Sequence, residues 1–256
     1  MGPTSKGRPG DGPPFFVRPI LFGPFCLGSD PAAAAATLKL DVDGAECLAG
    51  AAAAALPDLE AALAGIAPRS GGARLHGIPA LTSLLLHGAA ISAAAADRLG
   101  ARARPVRAIL FDKTPGANWS LGWHQDRTIA VARRIEAPGF GPWTVKQGLP
   151  HVAPPFALLE TMVTLRIHID PVPETNAPLL VARGSHRAGL VREADIDRIV
   201  AECGTAACLA EAGDIWIYAT PILHASEAAR APARRRVLQV DYAACDLPGA
   251  LDWLGI

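Results

Sequence analysis

Two short segments, far apart in the chain, have residue types and spacings that could hold a metal. The first is Trp123-His124-Gln125-Asp126. In extended backbone, side chains at i and i+2 leave on the same side, so His124 and Asp126 converge while Gln125 points away. An imidazole and a carboxylate on one face supply two-thirds of a facial triad, the ligand set that leaves positions open on iron(II). An HxD pair alone is weak, because exposed His/Asp pairs are common. The third ligand comes from Leu223-His224-Ala225-Ser226, after a strand-like run opened by Gly213-Asp214 and a turn at Pro221. There His224 and Ser226 share a face.

Eleven residues after His224 stands Arg235, in the run Arg234-Arg235-Arg236 that opens an apolar strand. A 2-oxo acid chelated to a metal leaves its far carboxylate in need of a counter-charge. The guanidinium fork matches a carboxylate best, and a hydroxyl such as Ser226 adds a donor. Arginines at the head of a buried strand are odd as pure structure, and one bound to a dicarboxylate makes sense of them. Which of the three takes that part is open at this level.

These groups need a frame. Strand-like runs occur at 106–113, 161–169, 178–182, 214–218 and 235–243, divided by Gly, Pro, Asp and Asn turns. With no βαβ rhythm, they predict a mainly β fold with flanking helices: an antiparallel, double-sheet jelly roll or double-stranded β-helix. Upstream, Asp43 is expected to cap an alanine-rich helix ending before Pro57. A second helix then carries the stripe Leu56, Leu59, Leu63, Ile66, and shorter ones follow at 79–87 and 89–99. A further helix is expected at 192–203, and 127–160 reads as a long Pro/Gly-rich link of little periodicity. Residues 1–36, rich in Pro and Gly, read as a disordered extension, leaving 37–256 as one catalytic domain.

The order HxD, distal His, then Arg resembles the phytanoyl-CoA dioxygenase family over about residues 38–245. Phe111-Asp112-Lys113-Thr114-Pro115, Gly122-Trp123-His124-Gln125-Asp126, Asn176-Ala177-Pro178-Leu179 and Gly184-Ser185-His186 support the resemblance. It implies a double-stranded β-helix that uses iron(II), 2-oxoglutarate and O2, usually to hydroxylate an unactivated C–H bond with release of succinate and CO2. It also implies that Lys113 can touch the 2-oxoglutarate. Asp126 is present, as in hydroxylases, whereas related halogenases lack the carboxylate.

Polar residues elsewhere suggest a substrate cavity. Thr164 and Arg166 lie on the polar face of an alternating strand, and Arg166 could meet an acidic part of the substrate, while His168 is left open. Trp123, Trp143 and His151, with Trp119, Lys146 and Gln147, cluster around the first ligands and the long link as pocket walls. Their plainer reading is packing and solvation.

Bulk properties narrow the partners. Lys+Arg and Asp+Glu balance at 24 each, with no basic stripe, so nucleic acid is not expected and a small-molecule substrate is. No apolar run is long enough to span a bilayer. Five cysteines without a CxxC pair fit a reducing compartment, so the cytoplasm is expected. Oligomeric state leaves no mark in the sequence. A competing reading keeps the fold but makes the chain a non-redox, cupin-like metal protein, either an isomerase or a small-molecule binding module. An arginine clamp eleven residues after the distal histidine argues against it.

Overall fold

The computed structural model describes residues 38–87 and 89–256, so the expectation for 1–36 lies outside the described residues. Helix α1 is Leu40–Asp43, followed by β1 (Ala45–Leu48), α2 (Leu56–Ala62), β2 (Ala73–Leu75), α3 (Pro79–His87) and α4 (Ala89–Leu99). Then come β3 (Arg104–Lys113), β4 (Leu121–His124), β5 (Ile129–Ala130), β6 (Trp143–Lys146), β7 (Leu149–Val152), α5 (Phe156–Glu160) and β8 (Val163–His168). The chain closes with β9 (Leu179–Ala182), α6 (Ile196–Cys203), β10 (Thr205–Cys208), β11 (Ile215–Ala219), β12 (His224–Ser226) and β13 (Arg235–Ala243).

Two antiparallel sheets face each other. The larger has strand order β1-β11-β8-β13-β3-β2, the smaller β10-β9-β12-β4. Along the chain, β3, β8, β11 and β13 join the first sheet, and β4, β9, β10 and β12 the second. That alternation is the winding of a double-stranded β-helix, as expected. The large sheet buries its outer face under helices. Leu59, Leu81, Leu85, Ile91 and Ala95 pack on Leu110, Leu165, Ile167, Ile217, Leu238 and Val240. Each fully buried leucine or isoleucine there contributes about 1.5–3 kcal/mol. By strand alternation, Arg107, Ile109, Phe111 and Lys113 then face the lumen between the sheets.

Two local expectations are corrected. Asp43 caps no alanine-rich helix. It ends α1, where its Oδ2 accepts from the Lys39 amide (2.9 Å) and its Oδ1 from the Arg183 guanidinium (3.0 Å). The next residues, Ala45–Leu48, pair with β11 and extend the large sheet. Burial of Ala45 against that sheet overrides a helix preference of a few tenths of a kcal/mol per residue. The 127–160 link is not structureless either: β5, β7 and β6 form a third sheet, followed by α5. Its apolar side, including Ile129 and Val152, packs with Val106, Leu159 and Met162. Short strands with an interrupted pattern lie below what periodicity resolves. Among the described residues no single helix is long and apolar enough to cross a membrane.

Candidate metal centre

Strands β4 and β12 pair so that His124 and His224 stand directly opposite each other, ring centroids 4.3 Å apart. Asp126 follows two residues beyond the end of β4. One ligand atom from each of His124, Asp126 and His224 lies within 4.8 Å of the others, so the three could hold one metal ion.

The ring nitrogens are assigned by their neighbours. His124 Nδ1 is 2.7 Å from the Gly122 carbonyl, and His224 Nδ1 is 3.0 Å from that of Ile222. A carbonyl can only accept, so Nδ1 carries the proton in each ring and Nε2 keeps its lone pair for a metal. Burial, then the charge of His124, pushes His224 down to about 3, so it is neutral at physiological pH.

Asp126 is held from behind. Arg107 donates to its Oδ2 (3.0 Å) and Gln239 Nε2 to the same oxygen (3.3 Å), which leaves Oδ1 free to ligate. Burial opposes ionisation of Asp126. The Arg107 guanidinium and the two imidazoles overcome that and hold the carboxyl well below the usual carboxylate range. Arg107 in turn donates through Nε to Asp241 (2.6 Å), whose other oxygen accepts from Thr164 (3.1 Å). Gln125 does point away, as expected, but into a set of buried bonds. Its Nε2 donates to the Gly189 and Pro221 carbonyls and its Oε1 accepts from the Val191 amide. Those bonds tie the His124–Asp126 segment to the turn that leads into His224.

Deeper in the lumen lie three cations without a carboxylate. Arg235 (2 % exposed), Lys113 (3 %) and Arg166 (5 %) form no ion pair among the described residues. Lys113 and Arg235 are register partners across β3 and β13. Lys113 Nζ donates to Ser226 Oγ (3.1 Å) and the Glu227 carbonyl (3.1 Å), and Arg235 donates to the Ala177 carbonyl. Arg166 reaches Gln239 Oε1 (2.9 Å) and stacks over the Phe111 ring. The Nε atoms of Arg235 and Arg166 and both ring nitrogens of buried His168 have no hydrogen-bond partner. Burial, then Arg235 and Arg166, pushes Lys113 down to about 7, and burial with Arg166 pushes Arg235 down to about 9. Unpaired buried cations are costly, and a bound dicarboxylate would satisfy both the charges and the orphaned donors. By contrast, Arg234 pairs with Asp112 (2.9 Å), and Arg236 with Asp170 and Glu60 (2.7 Å each).

Other predicted site residues scatter. Trp123 leaves β4 on the side opposite His124 and packs outside, against Val191, Ile196 and Leu223. Trp143 joins the apolar cluster under the third sheet, its Nε1 bonded to Glu136 (3.3 Å). Thr164 is spent on Thr220 and Asp241. His151 is fully buried, Nδ1 on the Leu149 carbonyl (3.0 Å) and Nε2 without a partner. Sequence reasoning missed Arg107, Asp241 and Gln239. The available signal was opposite charge on the inward faces of two strands, Arg107 in 106–113 and Asp241 in 235–243.

A double-stranded β-helix closing on a His–Asp–His cluster, with buried cations behind it, defines the class of non-haem iron, 2-oxoglutarate-dependent oxygenases. Residues 73–237 match the description "Phytanoyl-CoA dioxygenase (PhyH)", more than half of the chain, and the chain belongs to that family. No curated protein matches by sequence. Among solved structures, the non-heme alpha-ketoglutarate-dependent carbocyclase SnoK from nogalamycin biosynthesis is similar, with 19% identity, 82% of this chain and 85% of that chain covered and a TM-score of 0.57. AviO1 from Streptomyces viridochromogenes Tue57 aligns at 20% identity over 85% of this chain and 97% of that one, TM-score 0.57. HygX from Streptomyces hygroscopicus, with nickel, 2-oxoglutarate and hygromycin B bound, aligns at 14% identity over 80% and 84%, TM-score 0.54. At these identities the likeness is one of fold.

Proposed function

We propose that this chain is an Fe(II)- and 2-oxoglutarate-dependent dioxygenase that hydroxylates an unactivated C–H bond of a small molecule. The observation that carries the reading is the buried, uncompensated Lys113–Arg235 pair beside a His–Asp–His cluster whose free nitrogens are already selected. His124, Asp126 and His224 hold the metal. Arg235, Ser226 and Lys113 take the distal carboxylate of 2-oxoglutarate, and Arg166 is free to meet an acidic group. When bound, iron(II) with 2-oxoglutarate and O2 supplies the oxidation, in which the co-substrate leaves as succinate and CO2 and one oxygen atom enters the substrate.

The protein's own part is positioning. Arg107 and Gln239 fix one oxygen of Asp126, and the Gly122 and Ile222 carbonyls fix the imidazole tautomers. Retention of Asp126 supports oxygen insertion over halogenation. That HygX is solved with hygromycin B supports a small-molecule substrate.

Anaerobic titration with iron(II) and then 2-oxoglutarate tests the reading. A metal-to-ligand charge-transfer band is expected, and its absence would leave a non-redox metal protein. With substrate, succinate release and a product heavier by one oxygen atom are expected. SnoK is a carbocyclase, and a product lighter by two hydrogens would point to ring formation or desaturation instead of hydroxylation.

A further inference from the structure

A second group of cations, apart from the dicarboxylate pocket, also forms no ion pair among the described residues. Arg74 stands opposite Ile109 in the β2–β3 register, so its side chain leaves the sheet on the lumen face, the face of Arg107 and Lys113. Its Nε is buried without a hydrogen-bond partner, and the guanidinium forms no ion pair among the described residues. Across from it, the β6–β7 register puts Lys146, Leu149, Thr144 and His151 on one face of the third sheet, opposite the face that packs Trp143 and Val152 into the core. Half-buried Lys146 donates to a neutral acceptor, Thr128 Oγ1 (3.0 Å).

The segments that bear the two cations are fastened together. Gln147, at the hairpin turn with φ +52°, donates through Nε2 to the Gly72 carbonyl (2.8 Å) and accepts at Oε1 from the Arg74 amide (3.0 Å). One side chain thus fastens the hairpin to the strand that bears Arg74. Thr128 ties this corner to the metal ligands, because its carbonyl accepts from Arg107 (3.3 Å), which also holds Asp126. Burial, then Arg107, lowers the proton affinity of both Arg74 and Lys146. For Lys146 the charge of Arg74 adds to this, and in both groups only Asp126, itself bonded to Arg107, acts the other way. Burial pushes His151, within reach of both charges, down to about 4, so it stands there as a neutral group with Nε2 unpartnered. A 2-oxoglutarate dianion in the lumen would answer Arg235 and Lys113, while the one anion acting on Arg74 and Lys146, Asp126, is already bonded to Arg107 and Gln239.

We propose that Arg74 and Lys146 form an anion-recognition corner of the substrate site, so that the substrate carries a carboxylate or phosphate group. This rests on the oxygenase reading above. Its chemistry is that of any oxyanion meeting a guanidinium fork and an ammonium held together at a half-buried edge.

The test is calorimetry on protein carrying Mn(II) and 2-oxoglutarate under argon, so that the dicarboxylate pocket is filled, with sulfate and acetate as probes at constant ionic strength. Saturable binding of one of them is expected. Sulfate preference points to a phosphate and acetate preference to a carboxylate. R74Q/K146Q should weaken the bound probe roughly tenfold or more, and R74K/K146R should retain it. Should the neutral double variant not fold, Gln147→Ala leaves both charges and frees the hairpin, and it too should lower the affinity. No binding by the unmodified protein, or equal binding by R74Q/K146Q, overturns the proposal. Failure of the unmodified protein to show the charge-transfer band with Fe(II) and 2-oxoglutarate would instead remove the oxygenase reading beneath it.

Discussion

Lys113 and Arg235 face each other across β3 and β13, both almost fully buried, and no carboxylate of the described chain reaches either. Burial pulls both below their ordinary proton affinities, with Arg235 and Arg166 adding to it at Lys113 and Arg166 at Arg235. Under the proposed function this pair receives the distal carboxylate of 2-oxoglutarate.

Arg235→Ala removes one half of that receptor. Truncating one partner of a buried charge pair costs about 2–5 kcal/mol, or roughly 30- to several-thousand-fold in affinity. The Kd for 2-oxoglutarate, read from the charge-transfer band, should rise by that factor while iron binding persists. Arg234→Ala and Arg236→Ala, whose guanidiniums are paired with Asp112 and Asp170, should leave it nearly unchanged.

Binding of 2-oxoglutarate should depend on pH through Lys113. Its ammonium is pushed down to about 7 by burial, Arg235 and Arg166. The charged form attracts the dicarboxylate, so affinity is full below that value and falls as pH rises through it, with proton uptake on binding at neutral pH. Titrations between about pH 6 and 9 should show this slope. Lys113→Met should flatten it and weaken binding at low pH.

Arg107 acts on the metal through Asp126. Arg107→Ala leaves half-buried Asp126 and buried Asp241 without their shared cation, so metal affinity should fall about 10- to 100-fold. Stability should fall too, by about 3–5 kcal/mol. Arg107→Lys should recover part of the stability but less of the metal affinity, because an ammonium cannot fork between two carboxylates. Equal recovery of both would count against a positioning role.

Gln125 gives a separate test of how the two halves of the triad are held together. Gln125→Leu strands the Val191 amide and two carbonyls in a buried setting, at about 1–3 kcal/mol each for groups left unpaired. A lower unfolding midpoint is expected, with metal affinity reduced as the Pro221 turn before His224 loosens.

Much of the frame was legible because it rests on local rules. The strands expected at 106–113, 161–169, 178–182, 214–218 and 235–243 all formed within a few residues, since a two-residue period records which face meets the core. The same period put His124 and Asp126 on one side. It did not reveal the hairpin at 143–152, whose strands are short and broken by Pro150, nor the edge strand after Asp43, which exists through pairing with β11.

From its residues alone, the chain determined the ligand types, their order, the strands that bear them and a cation placed to answer a dicarboxylate. Tertiary structure alone decided which of three consecutive arginines points inward, that Trp123 and Trp143 pack away from the lumen, and that Arg107 braces Asp126. Strand alternation is set by the backbone within a segment. Burial and charge pairing depend on which segments the sheets bring together, and residues separated by more than a hundred positions, such as Arg107 and Asp241, meet only once both sheets have closed.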